Sequence, residues 1–355
     1  MRTTPSKFRD LVSGRRGGLP AALLRTVLRA SEVPYSWAVR WRNWRYDRAA
    51  AEICRVDVPV ISVGNLTLGG TGKTPVVEWI ARWCRRRDVR VAIVSRGYGA
   101  EVGSRNDEAL ELQQKLPDVP HVQNADRVAA ARTAIEKFAC QLIVLDDAFQ
   151  HRRIARDLDV VLLDALEPFG FGHVFPRGTL REPLVGLRRV DVVALSRADA
   201  LPHVGREDVR RQVNLLAPDA LYIEVTHAPQ ALLSSTGREE PLESLAQKPV
   251  AAFCGIGNPA GFRHTLNACG YRVVALREFP DHHGYDRGDV ERLKRWADSL
   301  DVSAVLCTHK DLVKLRIDRL GRQPLRAVRV GLEILAGRAA LEKRLEALLP
   351  ANSRS

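Results

Sequence analysis

The chain has 355 residues, 45% hydrophobic and 27% charged, which predicts a soluble globular protein of one large or two ordinary domains. No run approaches the ~18 uninterrupted apolar residues of a membrane-spanning helix. The six scattered cysteines form no C-x-x-C pair, which argues against a disulfide framework or zinc site and for a reducing compartment. The net charge is +13, and residues 1–50 hold eleven Lys or Arg against three Asp or Glu, so one end of the chain is expected to seek an anionic surface, nucleic acid or membrane.

Residues 1–18, with Pro, Ser, Gly and charge, read as irregular. Residues 19–30 predict a short helix with Leu19, Leu23, Leu24, Val27 and Leu28 on one face; Arg25 and Arg29 make it a poor secretory signal. Pro34 is expected to interrupt it. In YSWAVRWRNWRYDR, Trp37, Trp41 and Trp44 share one helical face and are crowded by Arg40, Arg42, Arg45 and Arg48. Such a segment suits the headgroup layer of a bilayer. The competing reading packs the three rings on the protein's own core.

From residue 58 the pattern changes. VPVISVGN predicts a strand, followed by the loop TLGGTGKTP and a helix from about Val76 to Arg87. VRVAIVS, CQLIVLDD, DLDVVLLDA and RRVDVVALSRAD read as further strands, with a helix over 125–138. Apolar strands alternating with helices predict a parallel sheet covered on both faces. PVAAFCGIGNP, YRVVALREF and VSAVLCTHKD repeat the style, with helices around 259–269, 286–299 and 338–348. The polar, turn-rich SSTGREEPLESLAQKP sets a boundary near 225–245. The expected organisation is a basic amphipathic segment at 1–50, a phosphate-loop domain at 51–230 and a smaller C-terminal α/β domain at 231–355.

The loop departs from G-x-x-x-x-G-K-[ST], because Thr67 stands where the first glycine belongs. It still leaves a strand and enters a helix, which is the context a phosphate loop requires. Gly69, Gly70, Thr71 and Gly72 let the backbone curl its N–H groups inward, and the helix that Pro75 helps to open points its positive end at the same place. Lys73 would reach the β- and γ-phosphates of a nucleotide, and Thr74 would face Mg²⁺. A related class, K-G-G-x-G-K-T, carries a second lysine; Leu68 occupies that position here.

LIVLDD ends an apolar strand in Asp146 and Asp147, where a Mg²⁺ carboxylate belongs in a phosphate-loop fold. The two point to opposite faces if the strand continues. GTLREP offers Arg181 for phosphate and Glu182 as a metal ligand. FPDHHGY offers Asp281, His282 and His283 in a loop, groups able to orient or deprotonate a hydroxyl. In THKD, Lys310 directly precedes Asp311, so the guanine-reading N-K-x-D spacing is not met. The loop alone is also compatible with a metallochaperone or cofactor-synthesis NTPase. No nucleic-acid module is recognisable, so no nucleic-acid partner is expected.

Taken in order, SVGNLTLGGTGKTP, VSRGYG, a following Asp-Glu, LDDAFQHRR, RGTLREPL, GIGNP, FPDHHGY and THKD resemble the tetraacyldisaccharide 4′-kinase family over roughly residues 15–345. The resemblance implies a phosphate-loop fold of two α/β/α domains with mostly parallel sheets and a cleft that closes around nucleotide. It implies transfer of the ATP γ-phosphoryl group, with Mg²⁺, to the 4′-hydroxyl of a tetraacylated glucosamine disaccharide 1-phosphate, giving lipid IVA. It also implies a peripheral protein, expected as a monomer, on the anionic cytoplasmic face of the inner membrane of a Gram-negative-type bacterium. Asp107 is implied as the base, assisted by His282. Lys73, Thr74, Asp146, Asp147, Arg181 and Glu182 are the implied phosphate and metal groups, with Arg127 of ADRVAAA as a further functional arginine. Two stretches depart from the family: N-D-E-A at residues 106–109 replaces G-D-E-P, and LDDAFQ replaces the commoner L-D-D-G-F-Q.

Overall fold

The structure, a computed structural model, describes residues 5–97, 112, 113, 115–281 and 283–349. The chain divides into two compact units. The first holds residues 5–97, Leu116–Thr226 and a segment that returns from Glu333 onward. The second is mainly His227–Leu332.

In chain order the first unit has α1 (Pro5–Val12), α2 (Leu19–Asp47), β1 (Val60–Asn65), α3 (Lys73–Arg85), β2 (Val91–Ser95), β3 (His121–Gln123), α4 (Arg127–Phe138), β4 (Leu142–Asp146), β5 (Leu158–Asp164), β6 (Val192–Ser196), α5 (His203–Leu216) and the start of β7 (Leu221–Leu233). Its strands lie in the order β7-β6-β5-β1-β4-β2-β3, and every pair is parallel. All residues of β1, β2, β4, β5 and β6 are buried, because helices cover both faces of a parallel sheet. One core gathers Phe149, Val161, Leu163, Val193, Leu195, Val209 and Val213; another gathers Val60, Val94, Ala131, Ala134, Ile143 and Leu145. Successive strand residues thus feed alternate faces.

The second unit has β8 (Glu239–Glu240), β9 (Pro249–Cys254), α6 (Pro259–Ala268), β10 (Arg272–Glu278), α7 (Arg287–Asp298), β11 (Ala304–Thr308), α8 (His309–Leu315), β12 (Arg319–Leu320) and most of β13 (Gln323–Ala336). Strands β10-β9-β11-β13 pair in parallel.

Two expectations are corrected. The first eighteen residues are not all irregular, since α1 occupies Pro5–Val12 and its Val12 carbonyl accepts a 2.9 Å bond from Arg177 Nη1. Pro34 does not end the helix it enters: α2 runs unbroken from Leu19 to Asp47. A proline removes one helical N–H bond, and here contacts on both sides of it hold the axis. Glu32 accepts from Val174 N at 2.8 Å, Tyr35 OH donates to Arg181 O at 3.2 Å, and Asp47 pairs with Arg152 at 2.7 Å. The N-terminal helices belong to the first unit, and so does the C-terminal α9 (Arg338–Glu346), where Arg344 donates to Asp191 O at 2.7 Å.

Candidate active site

β1 delivers the chain to the loop through Gly64 and Asn65. A Cβ at Gly64 would lie 2.5 Å from the Cβ of Phe149, so only glycine lets β1 approach the turn after β4 this closely. The buried Asn65 side chain then shapes the loop. Its Nδ2 donates to Thr67 O at 2.7 Å and to Gly69 O at 3.4 Å, and its Oδ1 accepts from Lys73 Nζ at 3.5 Å. One amide side chain therefore folds the loop back on itself and holds the ammonium that the loop presents. The curl closes at Gly72, in left-handed conformation with φ 81°, and Lys73, Thr74 and Pro75 form the first turn of α3. The helix starts three residues before the sequence pattern suggests, because its first turn is polar and faces the loop.

The GTLREP segment is zipped to the same loop. Leu68 N donates to Thr179 O at 2.7 Å, and Arg181 N donates to Leu66 O at 2.6 Å. That pairing carries the Arg181 side chain to Asp147, where Nη1 meets Oδ1 at 2.8 Å; Lys73 Nζ lies 3.5 Å from the same oxygen. Lys73, Arg181 and Asp147 thus form one cluster at the loop. Burial alone would raise the Asp147 carboxyl, but Lys73 and then Arg181 outweigh it and hold it below the usual carboxylate range. Asp147 is anionic at neutral pH.

The acids do not alternate as an extended strand would place them. β4 ends at Asp146, which is buried, and Asp147 turns into left-handed backbone with φ 52°. The residue with positive φ is thus Asp147, a type that tolerates it. Ala148 is not among the positive-φ residues, so alanine in place of the commoner glycine imposes no strain there.

Do these residues fit a nucleotide and its metal? A Cβ at Gly70 would meet nothing within 4 Å, so the loop mouth is open there. The Thr71 hydroxyl is buried and lacks a hydrogen-bond partner, an unmet polar group that a phosphate oxygen would satisfy. Among the described residues no group of three or more His, Cys, Asp or Glu forms a metal cage. Mg²⁺ does not require one, since it is commonly held by one or two carboxylates with phosphates and water. A hydroxyl and two carboxylates, those of Thr74, Asp146 and Asp147, are donors of the type such a site would use.

Glu182 is placed differently from its expected role as a metal ligand. It is 0% exposed and both oxygens are occupied: Arg189 Nη2 donates to Oε1 at 2.7 Å, Gln150 Nε2 to Oε1 at 3.3 Å, and Asn43 Nδ2 to Oε2 at 2.8 Å. As placed, it is a buried tie between α2, the turn after β4 and the GTLREP segment. Gln150 also donates to Asn65 O at 2.9 Å. Asn65, Gln150, Asn43 and Arg189 are therefore part of the supporting structure, and sequence reasoning missed all four. Their signal is slight: a polar residue closing an apolar strand in SVGN, and a glutamine after DDAF.

Arg127 opens α4 behind an Asp126 N-cap, whose carboxylate accepts from Val128 N at 2.9 Å. It is buried and donates to Asn124 O and Ala125 O. Burial and Arg96 lower its pKa while Asp147 and Asp146 oppose them, which puts Arg127 in the electrostatic neighbourhood of both acids. Nearby, burial and then Arg127 and Arg156 push the His151 imidazole down to about 4. The unfolded chain, titrating near 6.5, binds the proton first, so stability should fall as pH drops from about 6.5 toward 4. His151→Gln should flatten that part of a plot of Tm against pH.

Asp107 and His282 lie outside the described residues. The rest of FPDHHGY is held within the second unit. His283 Nε2 meets Asp289 Oδ2 at 2.8 Å, its ring stacks on Phe279 at 4.8 Å, and Tyr285 OH donates to Asp311 Oδ1 at 2.9 Å. Asp311 is wholly buried and closes the capping box of α8 with Thr308. The THKD motif is thus a helix cap.

A curled loop between the first strand and helix of a covered parallel sheet, its lysine beside an acid-tipped neighbouring strand, defines a phosphate-loop phosphotransferase. The model of the LpxK family, tetraacyldisaccharide-1-P 4′-kinase, matches residues 24–350. The chain belongs to the tetraacyldisaccharide 4′-kinase family. It is 42% identical to the tetraacyldisaccharide 4′-kinase of Anaeromyxobacter sp. (strain K), over 95% of this chain and 94% of that protein. It is 36% identical to the kinase of the same name from Syntrophus aciditrophicus (strain SB), over 85% and 86%. The crystal structure of the "apo" form of LpxK from Aquifex aeolicus in complex with ATP is similar with a TM-score of 0.73 and 28% identity, covering 92% of this chain and 100% of that one.

Proposed function

We infer that the chain transfers the γ-phosphoryl group of ATP to the 4′-hydroxyl of a tetraacyl disaccharide 1-phosphate. The observation that carries this reading is the cluster of Lys73, Arg181 and Asp147 at the curled loop. The loop amides, the Thr71 hydroxyl and Lys73 bind the β- and γ-phosphates. Arg181 steadies charge on the transferring group. Thr74, Asp146 and Asp147 would hold Mg²⁺, which when bound neutralises charge on the same phosphates. Asp107, assisted by His282, orients the sugar hydroxyl and accepts its proton as the new P–O bond forms; these two roles rest on the family resemblance. Positioning and fixed charge supply most of the rate. Release of ADP should depend on added tetraacyl disaccharide 1-phosphate. Turnover that ignores the lipid would count against the reading.

The protein meets its substrate at an anionic membrane, on the cytoplasmic face of the inner membrane. Among the described residues no helix is long and apolar enough to cross a bilayer. In support of surface contact, α2 is two-sided. Ala21 and Val39 are buried, and Glu32, Tyr35, Asn43 and Asp47 bond to the helix's own unit. Leu19, Leu23, Val27, Val33, Trp37, Trp41 and Trp44 fall within an arc of about 120° at ~100° per residue, and all are exposed, the tryptophans by 68%, 51% and 49%. Arg45 lies over the Trp41 ring at 5.4 Å and Arg48 over Trp44 at 5.7 Å. Apolar rings flanked by arginines suit the headgroup layer. Replacing Trp37 and Trp41 together by Ser should weaken binding to vesicles containing phosphatidylglycerol by about tenfold or more and leave ATP affinity unchanged. Vesicle cosedimentation and nucleotide titration check the pair of outcomes.

A further inference from the structure

Leu68 leaves the phosphate loop with one cation of its own, Lys73, where K-G-G-x-G-K-T loops carry two. The place beside Gly69 nevertheless holds a guanidinium. A Cβ on Gly69 would lie 3.0 Å from Arg9 Nη2. Arg9 belongs to α1, ahead of residues 24–350 that the family model matches.

Two ties hold α1 here. Val12 O accepts from Arg177 Nη1 at 2.9 Å, and Arg9 Nε lies 3.8 Å from Glu167 Oε2. Glu167 accepts from the Thr179 hydroxyl, and Thr179 O in turn accepts from Leu68 N at 2.7 Å. The arginine's carboxylate partner and the edge of the loop are therefore linked through a single residue. The Arg9 side chain is 51% exposed, and its contact with Glu167 is long for an ion pair, so little holds the guanidinium against a stronger anion. A triphosphate seated in the loop carries several negative charges beside Gly69. Coulomb attraction at such range favours it over one carboxylate, and arginine matches phosphate oxygens in geometry as well as charge.

We propose that Arg9 binds the triphosphate of ATP, supplying from α1 the second cation that the loop sequence lacks. The proposal rests on the phosphate-loop reading above and adds a residue to it. Nucleotide affinity then depends on α1 being docked, which ties ATP binding to the same N-terminal segment that carries the exposed tryptophan face.

Equilibrium binding of nucleotides to the full-length protein tests this with no turnover involved. Arg9→Gln should weaken ATP by about tenfold or more, the scale of a charge-assisted hydrogen bond. It should leave AMP, which lacks the β- and γ-phosphates, unchanged. Arg9→Lys should retain part of the affinity, and Arg15→Gln, an equal charge loss nearby, should have no effect. Glu167→Gln separates binding from mere anchoring: it removes the competing carboxylate, so ATP affinity should hold or tighten. Equal losses in Arg9→Gln and Glu167→Gln would mean that Arg9 only fastens α1, and would overturn the proposal. Unchanged ATP affinity in Arg9→Gln alongside a large loss in Lys73→Ala would overturn Arg9's role and leave the loop reading standing. No loss in either variant would overturn both.

Discussion

Lys73→Ala should lower turnover by about a thousandfold while the protein stays folded. Lys73 is placed by three things at once: the left-handed Gly72, the first turn of α3, and the Asn65 amide oxygen 3.5 Å away. Losing one fixed charge or donor that acts on a developing transition state costs about 10²–10³ in rate, and the other phosphate groups here, the loop amides and Arg181, cannot move into its place. The expected stability change is small. Asp147 keeps Arg181 at 2.8 Å and is partly exposed, so the lost contact is worth about 1 kcal/mol or less. Steady-state kinetics beside a thermal melt separate the two effects. A variant with near-normal turnover would remove Lys73 from the mechanism.

Glu182→Ala should give the second large effect, this time on stability. The wild-type carboxylate is fully buried and accepts from Arg189, Gln150 and Asn43. Truncation leaves a part-buried guanidinium and two part-buried amides without their shared acceptor, and losing a pair whose carboxylate is fully buried costs about 3 kcal/mol. For a unit of this size that corresponds to a Tm lower by roughly 10 °C. Glu182→Gln keeps the volume and one acceptor and should cost less. The pair also settles whether Glu182 touches metal. A ligand role predicts a raised Mg²⁺ requirement at unchanged Tm, whereas the buried tie predicts the reverse. Because Glu182 follows Arg181 directly, both variants should lose some turnover through displacement of that arginine.

The parts of the site that were legible in sequence are those where local pattern and chemistry coincide. The apolar run VPVISVGN could hardly be anything but a buried strand, and G-G-T-G-K-T after it needs few alternatives. LIVLDD announced an acid-tipped strand in the same way. The failures have a common cause in long-range contact. Whether Glu182 faces a metal or an arginine depends on Arg189, Gln150 and Asn43, which come from three separate elements and leave no mark in L-R-E-P itself. Pro34 predicts a break by local rules, yet Glu32 on one side and Tyr35 and Asn43 on the other fasten α2 along its length. α1 was missed because PSKFRDLV is too short and too polar to show periodicity, and it is held by Arg177 and Glu167, more than a hundred residues away. The return of the C-terminal helix to the first unit is likewise a matter of Arg344 finding the Asp191 carbonyl. The supporting amide Asn65 was within reach of sequence reasoning, since an asparagine that closes an otherwise apolar strand is costly to bury without a purpose.

The position of phosphate on the lipid tests the central claim most directly. Purified protein should be incubated with ATP, Mg²⁺ and a tetraacyl disaccharide 1-phosphate, and the product examined by mass spectrometry and ³¹P NMR. The account predicts one added phosphate, on the 4′ oxygen, formed one for one with ADP and abolished by Lys73→Ala. ATP hydrolysis with no phosphate on the lipid, or phosphate at another hydroxyl, would contradict it.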